Sequence, residues 1–296
     1  MKDRRLATTE EITTILPVIE DLGLPVPKIV YRFIDYEFDK TYDVYLLDDT
    51  YIVKKLDRDA RDLVKYNMYF RDKNFAVPRI LADVRLGEDT YVLMPYIQSV
   101  DSRDCTPMQA RKVAMELAKI HSYYLVSNGH SQSADMYYNK YVKPDYESSK
   151  VYAPESEPLF KALTQRFFDA PKTLVHDDLL PINVLFEREK VWLIDWATAG
   201  MYPYFLDLAR FCYVFCAESY DHISKAASHA FLETYYEEMS KNHLFNITQD
   251  QFRLDVVYSA FIQYSMFLAS AKDINKGKLS FDYAYFKRII GYLFSR

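Results

Sequence analysis

Short runs rich in Val, Ile, Tyr and Phe crowd the first hundred residues, whereas past residue 107 the apolar residues recur at helical spacing. This change of period constrains the fold more than any single residue does. The runs fall at 28–36, 41–47 and 50–56, and Asp48-Asp49 between the last two reads as a tight turn, which predicts an antiparallel meander. A polar helix is expected over 58–73. Two further strands, at 79–86 and 90–97, are joined by Leu86-Gly87-Glu88-Asp89, a hairpin signal. Ahead of all of these, Thr8 and Glu11 are spaced as a capping box that opens a first helix ending near Gly23, before the Pro25-Val26-Pro27 segment.

Beyond Pro107 the pattern is helical. The stretch from Pro107 to Ser127 carries Val113, Leu117 and Ile120 with the small Ala110, Ala114 and Ala118 between them, a packing face. Residues 130–152 are tyrosine-rich and read as an irregular surface excursion. A helix over 157–169 leads to a compact strand pair at 183–194, with Glu187 to Lys190 at its turn. Helices near 203–218, 221–242, 248–274 and 280–294 complete the chain. The fold class is therefore α+β: a small antiparallel sheet lobe with one helix, residues 1–97, and a larger, mainly helical lobe, residues 98–296.

Composition removes several function classes. The 296 residues include six glycines (Gly23, Gly87, Gly129, Gly200, Gly277 and Gly291), no two of them close, so neither G-x-x-x-x-G-K-[ST] nor G-x-G-x-x-G occurs. Thirty-seven basic and 42 acidic residues leave a net charge of −5, a balance that makes nucleic acid or an anionic membrane surface an unexpected partner. Cys105, Cys212 and Cys216 are too few and odd in number for a disulfide framework. The start MKDRRLATTEEITT lacks the apolar stretch of a secretory signal, and the uncharged run from Val256 to Ala271 is too short to span a bilayer, so a cytoplasmic protein is expected.

One segment concentrates chemistry. From Leu174 to Phe186 the chain reads L-V-H-D-D-L-L-P-I-N-V-L-F, and after a short turn V-W-L-I-D-W follows from Val191 to Trp196. An Asp, an Asn five residues later and a second Asp after a hairpin are parts that phosphoryl transfer needs. A carboxylate must receive the proton of an attacking hydroxyl, and hard oxygen ligands must hold Mg²⁺ against phosphates. Asp178 suits the first task, and Asn183 and Asp195 the second.

This pair of motifs resembles the aminoglycoside phosphotransferase and choline kinase group, the small-molecule branch of the protein-kinase-like two-lobe fold. His176, Asp178 and Asn183 match its H-G-D-x-x-x-x-N loop, and Ile194-Asp195-Trp196 its metal motif. Asp207-Leu208-Ala209 is similar to its D-L-A helix start, and Leu117-Ala118-Lys119-Ile120-His121 to its L-A-x-L-H helix end. The resemblance implies transfer of the γ-phosphoryl group of ATP or GTP, with Mg²⁺, to a hydroxyl of a small substrate. It implies that Lys54, in Tyr51-Ile52-Val53-Lys54-Lys55-Leu56, reaches the nucleotide phosphates and that Lys55 points to the other face. The acidic partner of Lys54 is Asp62 or Asp59, with Asp62 favoured. The run from Val92 to Ile97 looks like the hinge, with adenine pairing to the carbonyl of Pro95 and the amide of Ile97.

The sequence departs from the family pattern in three places: the first hairpin, Tyr31 to Tyr45, has no glycine, Asp177 stands where Gly is usual, and Leu180 stands where His is common. The glycine-free hairpin is the feature that favours the competing class, a nucleotide-binding pseudokinase or regulatory protein. His176, His121 and Asp207 are read as groups that brace the loop and its neighbouring helices rather than as proton carriers.

Overall fold

The computed structural model describes residues 3–35, 40–99, 105–126, 131–150, 156–212, 223–275 and 283–294. The first helix starts as its sequence predicts. The Glu11 amide donates to the Thr8 hydroxyl at 3.3 Å and the Thr8 amide donates to the Glu11 carboxylate at 2.8 Å, so both bonds of the capping box are made and α1 runs Thr9–Asp21. The chain then divides into two compact units. One comprises Met1–Asp101 with Leu185–Ala197, the other Ser102–Val184 with Thr198–Arg296.

The first unit is built on an antiparallel sheet of six strands in the order β1-β2-β3-β4-β6-β5. These are β1 (Asp3–Leu6), β2 (Val30–Asp35), β3 (Lys40–Leu47), β4 (Tyr51–Lys55), β5 (Ala82–Leu86) and β6 (Asp89–Pro95). The expected meander and second hairpin are present. The Asp48-Asp49 turn holds both residues at positive φ, +47° and +51°, a region that Asp enters at lower cost than most residues. Asp48 also accepts the amide of Ile29 at 2.8 Å, which fixes the turn against the start of β2. The glycine-free hairpin β2–β3 is bulged between Arg32 and Ile34, and its tip, residues 36–39, lies outside the described residues.

β1 was not anticipated. It pairs with β2 from Asp3↔Ile34 to Leu6↔Tyr31, yet it has no apolar alternation, because charge holds it instead. Arg4 pairs with Asp49 and stacks over Tyr31, and Arg5 donates twice to Glu11 at 2.6 Å. Those bonds from Arg5, with the Thr8 amide and the charge of Arg32 adding to them against the opposing effect of burial, hold the Glu11 carboxyl at about 2, below its ordinary 4.5. A lowered folded-state pKa stabilises the fold above pH 4.5, and this contribution disappears as pH falls toward 2. Glu11→Gln is thus expected to lower the unfolding free energy by about 1–2 kcal/mol at pH 7. In urea titrations at stepped pH, the gap between variant and wild type should close on acidification; a gap independent of pH would contradict this account.

The core of this unit joins Ile15, Val18 and Ile19 of α1 to Val30, Tyr45, Leu47, Val53, Tyr91 and Leu93 of the sheet. Tyr45, Val53 and Leu93 stand opposite one another across β3, β4 and β6. Because side chains alternate, the next residue, Lys54, sits on the other face in register with Val44 and Val92. The polar helix expected over 58–73 is shorter: α2 covers Arg61–Lys65 and widens into a turn, Tyr66–Phe70, where the Arg71 amide reaches back to the Tyr66 carbonyl at 2.9 Å. Phe70, buried at the end of that turn, packs on Trp196 at 4.6 Å between ring centroids. The hairpin of β8 (Val184–Glu187) and β9 (Lys190–Leu193) is tied in by the Leu193 amide, which donates to the Ala76 carbonyl at 2.7 Å.

In the second unit α3 (Pro107–Tyr123) packs its Ala110, Val113, Ala114 and Leu117 face, all buried, and its main neighbour is α8 (Lys225–Met239). The tyrosine-rich stretch corrects the expected irregular excursion. It forms α4 (Gln132–Tyr137), a wider turn (Tyr138–Val142) and α5 (Lys143–Lys150). Tyr137, Tyr138 and Tyr146 are buried there; Tyr146 stacks on Phe160 at 3.6 Å and the Tyr138 hydroxyl meets that of Thr164 at 2.7 Å. Tyrosine has a large apolar ring and one polar tip, so a segment rich in it can pack as core through its rings, with the tips of Tyr137 and Tyr138 hydrogen-bonded.

α6 (Glu157–Asp169) matches its expected span and leads to β7 (Lys172–Val175), which pairs with β10 (Gly200–Pro203). α7 (Leu206–Cys212), α9 (Gln249–Asn275) and α10 (Tyr283–Phe294) complete the described elements. Cys105 and Cys212 are buried free thiols; Cys216 and the expected helical residues beyond Cys212 up to 222 lie outside the described residues. Among the described residues no helix is long and apolar enough to cross a membrane.

Candidate active site

Lys54 leaves β4 on the face away from α1, and two carboxylates meet it there. Its Nζ donates to Asp62 Oδ2 at 2.5 Å and to Asp195 Oδ1 at 3.3 Å. Burial opposes the charge on Lys54, but the two carboxylates outweigh it and raise the ammonium above its ordinary value, so it is charged at neutral pH. The Asp62 carboxyl is also raised, first by burial and then by the charge of Asp195, against the pull of Lys54. Two carboxylates therefore share one ammonium. Asp62, and not Asp59, is the acidic residue paired with Lys54, while Lys55 on the other face pairs with Asp89 at 2.6 Å.

Asp195 sits at φ +66° with its side chain 44% exposed. A non-glycine residue in the left-handed region carries backbone strain, and strain of this kind concentrates at functional positions. The proposed adenine contacts lie in the same unit: Pro95 ends β6 opposite Tyr51, the Tyr96 amide is taken by the Thr50 carbonyl at 2.8 Å, and Ile97 follows, buried.

In the second unit the loop after β7 is fixed by its backbone. Asp207, fully buried on α7, accepts the amide of His176 on Oδ2 and that of Asp177 on Oδ1, both at 2.8 Å. The Asp178 amide donates to His176 Nδ1 at 3.3 Å, and Thr198 donates to the His176 carbonyl at 3.0 Å. His121 Nε2 lies 3.3 Å from Asp207 Oδ2 and His121 Nδ1 lies 2.7 Å from the Tyr235 hydroxyl. These histidines and Asp207 are thus bound into the frame that shapes the loop.

Asp178 projects from that frame with both carboxylate oxygens engaged. Asn183 Nδ2 donates to Asp178 Oδ2 at 3.2 Å and to its backbone carbonyl at 2.8 Å, and Arg210 Nη2 donates to Oδ1 at 2.7 Å. With Nδ2 turned to Asp178, the Asn183 amide presents its carbonyl oxygen on the other side. Asp177 stands at φ +67°, which is why glycine is the easiest residue at this point of the loop. Its carboxyl accepts the Tyr137 hydroxyl at 2.5 Å and is raised well above the usual range by burial and by the charges of Asp207 and Asp178, against that bond and Arg210.

Sequence reading missed Arg210 and Tyr137. Arg210 follows Asp207 by three positions, so the two share a helix face; that spacing was the available signal. Nothing in the sequence singled out Tyr137 among 27 tyrosines.

Within the first unit Asp195 is a partly exposed carboxylate that shares Lys54 with Asp62, a hard oxygen donor of the kind a divalent cation takes; within the second, Asn183 carries a neutral carbonyl oxygen of the same hard kind. Among the described residues no group of three His, Cys, Asp or Glu side chains could hold a metal by itself.

A six-stranded antiparallel sheet followed by a mainly helical region, with the His176–Asn183 loop and Asp195 on either side of one hairpin, is the architecture of the protein-kinase-like class. The chain belongs to the phosphotransferase enzyme family, whose model matches residues 34–241. Among solved structures it is similar to the GDP complex of a mutant aminoglycoside 2'-phosphotransferase-IIIa, at 13% identity and TM-score 0.57 over 97% of this chain and 99% of that one. It is also similar to a glucosamine kinase, at 12% identity and TM-score 0.52 over 84% of this chain and 74% of that one. A choline kinase from Cryptosporidium parvum Iowa II aligns at 12% identity and TM-score 0.48, covering 98% of this chain and 88% of that one. No curated protein matches the sequence. At these identities the likeness to the first two of these structures, both above TM-score 0.5, shows the fold alone, which is the two-lobe α+β class expected.

Proposed function

We propose that the protein is a small-molecule kinase that transfers the γ-phosphoryl group of ATP or GTP to a hydroxyl of a small acceptor. The observation that carries the proposal is Lys54 on the inner strand β4, held by Asp62 at 2.5 Å with Asp195 beside it at 3.3 Å. A charged lysine kept in place by one carboxylate is suited to neutralising nucleotide phosphates, and the second carboxylate is suited to an Mg²⁺ ion. Mg²⁺, held by Asp195 and Asn183, would supply charge neutralisation at the phosphate oxygens. Pro95 and Ile97 offer a backbone carbonyl and an amide to a purine ring.

Asp178 orients the acceptor hydroxyl and takes its proton as the oxygen attacks. Arg210 and Asn183 occupy one lone pair on each of its oxygens and leave others for the acceptor. Most of the acceleration then comes from positioning and charge neutralisation, since phosphoryl transfer asks little covalent chemistry of the protein. The ordinary charge balance supports a small acceptor in place of nucleic acid or a membrane surface, and a cytoplasmic location accords with it.

The reading is tested by thermal unfolding with ATP or GTP and Mg²⁺, against nucleotide with EDTA. A metal-dependent rise of several degrees is expected, and no stabilisation by either nucleotide would overturn the reading. The glycine-free β2–β3 hairpin favours a second reading, a pseudokinase that binds nucleotide without an acceptor; it predicts the same thermal shift and no turnover.

A further inference from the structure

We infer that Arg210 is a positioning residue that aims the Asp178 carboxylate for the transfer, an inference resting on the kinase reading above. From Asp177 to Glu187 the chain carries no basic side chain, so the loop supplies no counter-charge to its own carboxylate. Helix α7 provides one. Arg210 Nη2 donates to Asp178 Oδ1 at 2.7 Å, with the two side chains 23% and 32% exposed.

The guanidinium is itself held from the far side. Arg210 Nη1 donates to Gln263 Oε1 at 2.9 Å, and Gln263 is buried on α9. The start of α7 is locked to the same helix through Ser259, whose hydroxyl accepts the Ala209 amide at 3.1 Å and donates to the Leu206 carbonyl at 3.2 Å. The position is not optimised for stability, because Arg210 Nε is buried with no hydrogen-bond partner among the described residues, and an unpaired buried donor is destabilising.

One turn of α7 therefore performs two tasks on one face. Asp207 fixes the loop backbone through two amides, and Arg210, three residues later, fixes the direction of the carboxylate that the loop carries. Both oxygens turn together about the Cβ–Cγ bond; the Asn183 bond to Oδ2 is the longer, at 3.2 Å, and the charged Arg210 bond to Oδ1, at 2.7 Å, is the stronger restraint on that rotation. A base that wanders loses rate without loss of nucleotide affinity.

The experiment is steady-state turnover of Mg·ATP, with water or an acceptor, in wild type, Arg210→Met, Arg210→Lys and an Arg210→Met/Asp178→Asn double variant. Arg210→Met should lower kcat by roughly 10- to 100-fold with KM for Mg·ATP within about twofold. Lysine keeps the charge and loses the fork that bridges Gln263 and Asp178, so it should recover part of the loss. In the Asp178→Asn background the Arg210→Met change should cost less than about twofold, because the group it acts through is gone. An unchanged kcat in Arg210→Met, a loss confined to KM, no recovery by Lys, or a full further loss in the Asp178→Asn background would each overturn the inference while leaving the kinase reading standing. A wild type that turns over no Mg·ATP would overturn both.

Discussion

Asp178→Asn should lower phosphoryl transfer by roughly 10²- to 10⁴-fold and leave Mg·ATP affinity within about twofold. The substitution conserves size, so the loop frame made by Asp207, His176 and Thr198 stays intact. What changes is local. An asparagine oxygen can still accept from Arg210 at the Oδ1 position, but its NH₂ then faces the Asn183 NH₂, two donors where a donor and an acceptor now meet. The new side chain also has no capacity to take a proton from a hydroxyl. Rates of ADP release with and without acceptor, set beside nucleotide titrations, separate the two effects. Unchanged transfer in Asp178→Asn would remove Asp178 from the role of base.

Asp195→Ala should abolish the metal dependence of nucleotide binding, weakening Mg·ATP by about 10²-fold, the scale expected when a charged oxygen ligand to a divalent cation is lost. Lys54 keeps its bond to Asp62 at 2.5 Å in this variant, so residual, metal-independent affinity for the nucleotide should remain and should equal that of wild type in EDTA. Alanine keeps a Cβ at φ +66°, a region that Asp enters at lower cost, so a modest loss of stability is expected alongside the much larger loss of metal-dependent binding. Calorimetric titration with ATP in Mg²⁺ and in EDTA reads both quantities. Normal Mg·ATP affinity in Asp195→Ala would contradict the metal role.

The parts of this molecule that could be read in advance are those written in local spacing. The Thr8–Glu11 capping box, the Asp48-Asp49 turn and the alternation that puts Val53 in the core and Lys54 on the opposite face all follow from neighbours a few residues apart. The motif pair from His176 to Asp195 is legible for the same reason, because its residues sit on one loop and the hairpin after it. What escaped is decided at a distance. β1 has no apolar signature, since Arg4 and Arg5 hold it by charge. The segment at 130–152 looked irregular because tyrosine serves both core and surface, and only the partners of Tyr137, Tyr138 and Tyr146 decide between them. β7 and β10 are four residues each and separated by the His176–Asn183 loop and a hairpin, so neither end points to the other. Arg210 was one cation among 37 until the fold brought it to Asp178.

The departure at Asp177 has a structural sense as well. Left-handed backbone there makes glycine the least strained choice, and Asp is tolerated with its carboxyl taken by the Tyr137 hydroxyl and its amide by Asp207. The unusual residue thus leaves the loop conformation in place and adds a half-buried acid next to Asp178.

The most direct test of the central claim is a screen of hydroxyl-bearing metabolites and antibiotics as acceptors for wild-type protein with Mg·ATP and Mg·GTP. It reads ADP or GDP release together with the phosphorus NMR signal of the product. The account predicts an acceptor that raises nucleotide turnover above the rate with water and returns as a phosphate monoester, and it predicts that Asp178→Asn removes that signal. Metal-dependent nucleotide binding with no turnover on any acceptor or on water would contradict it and leave a nucleotide-binding protein without transfer chemistry.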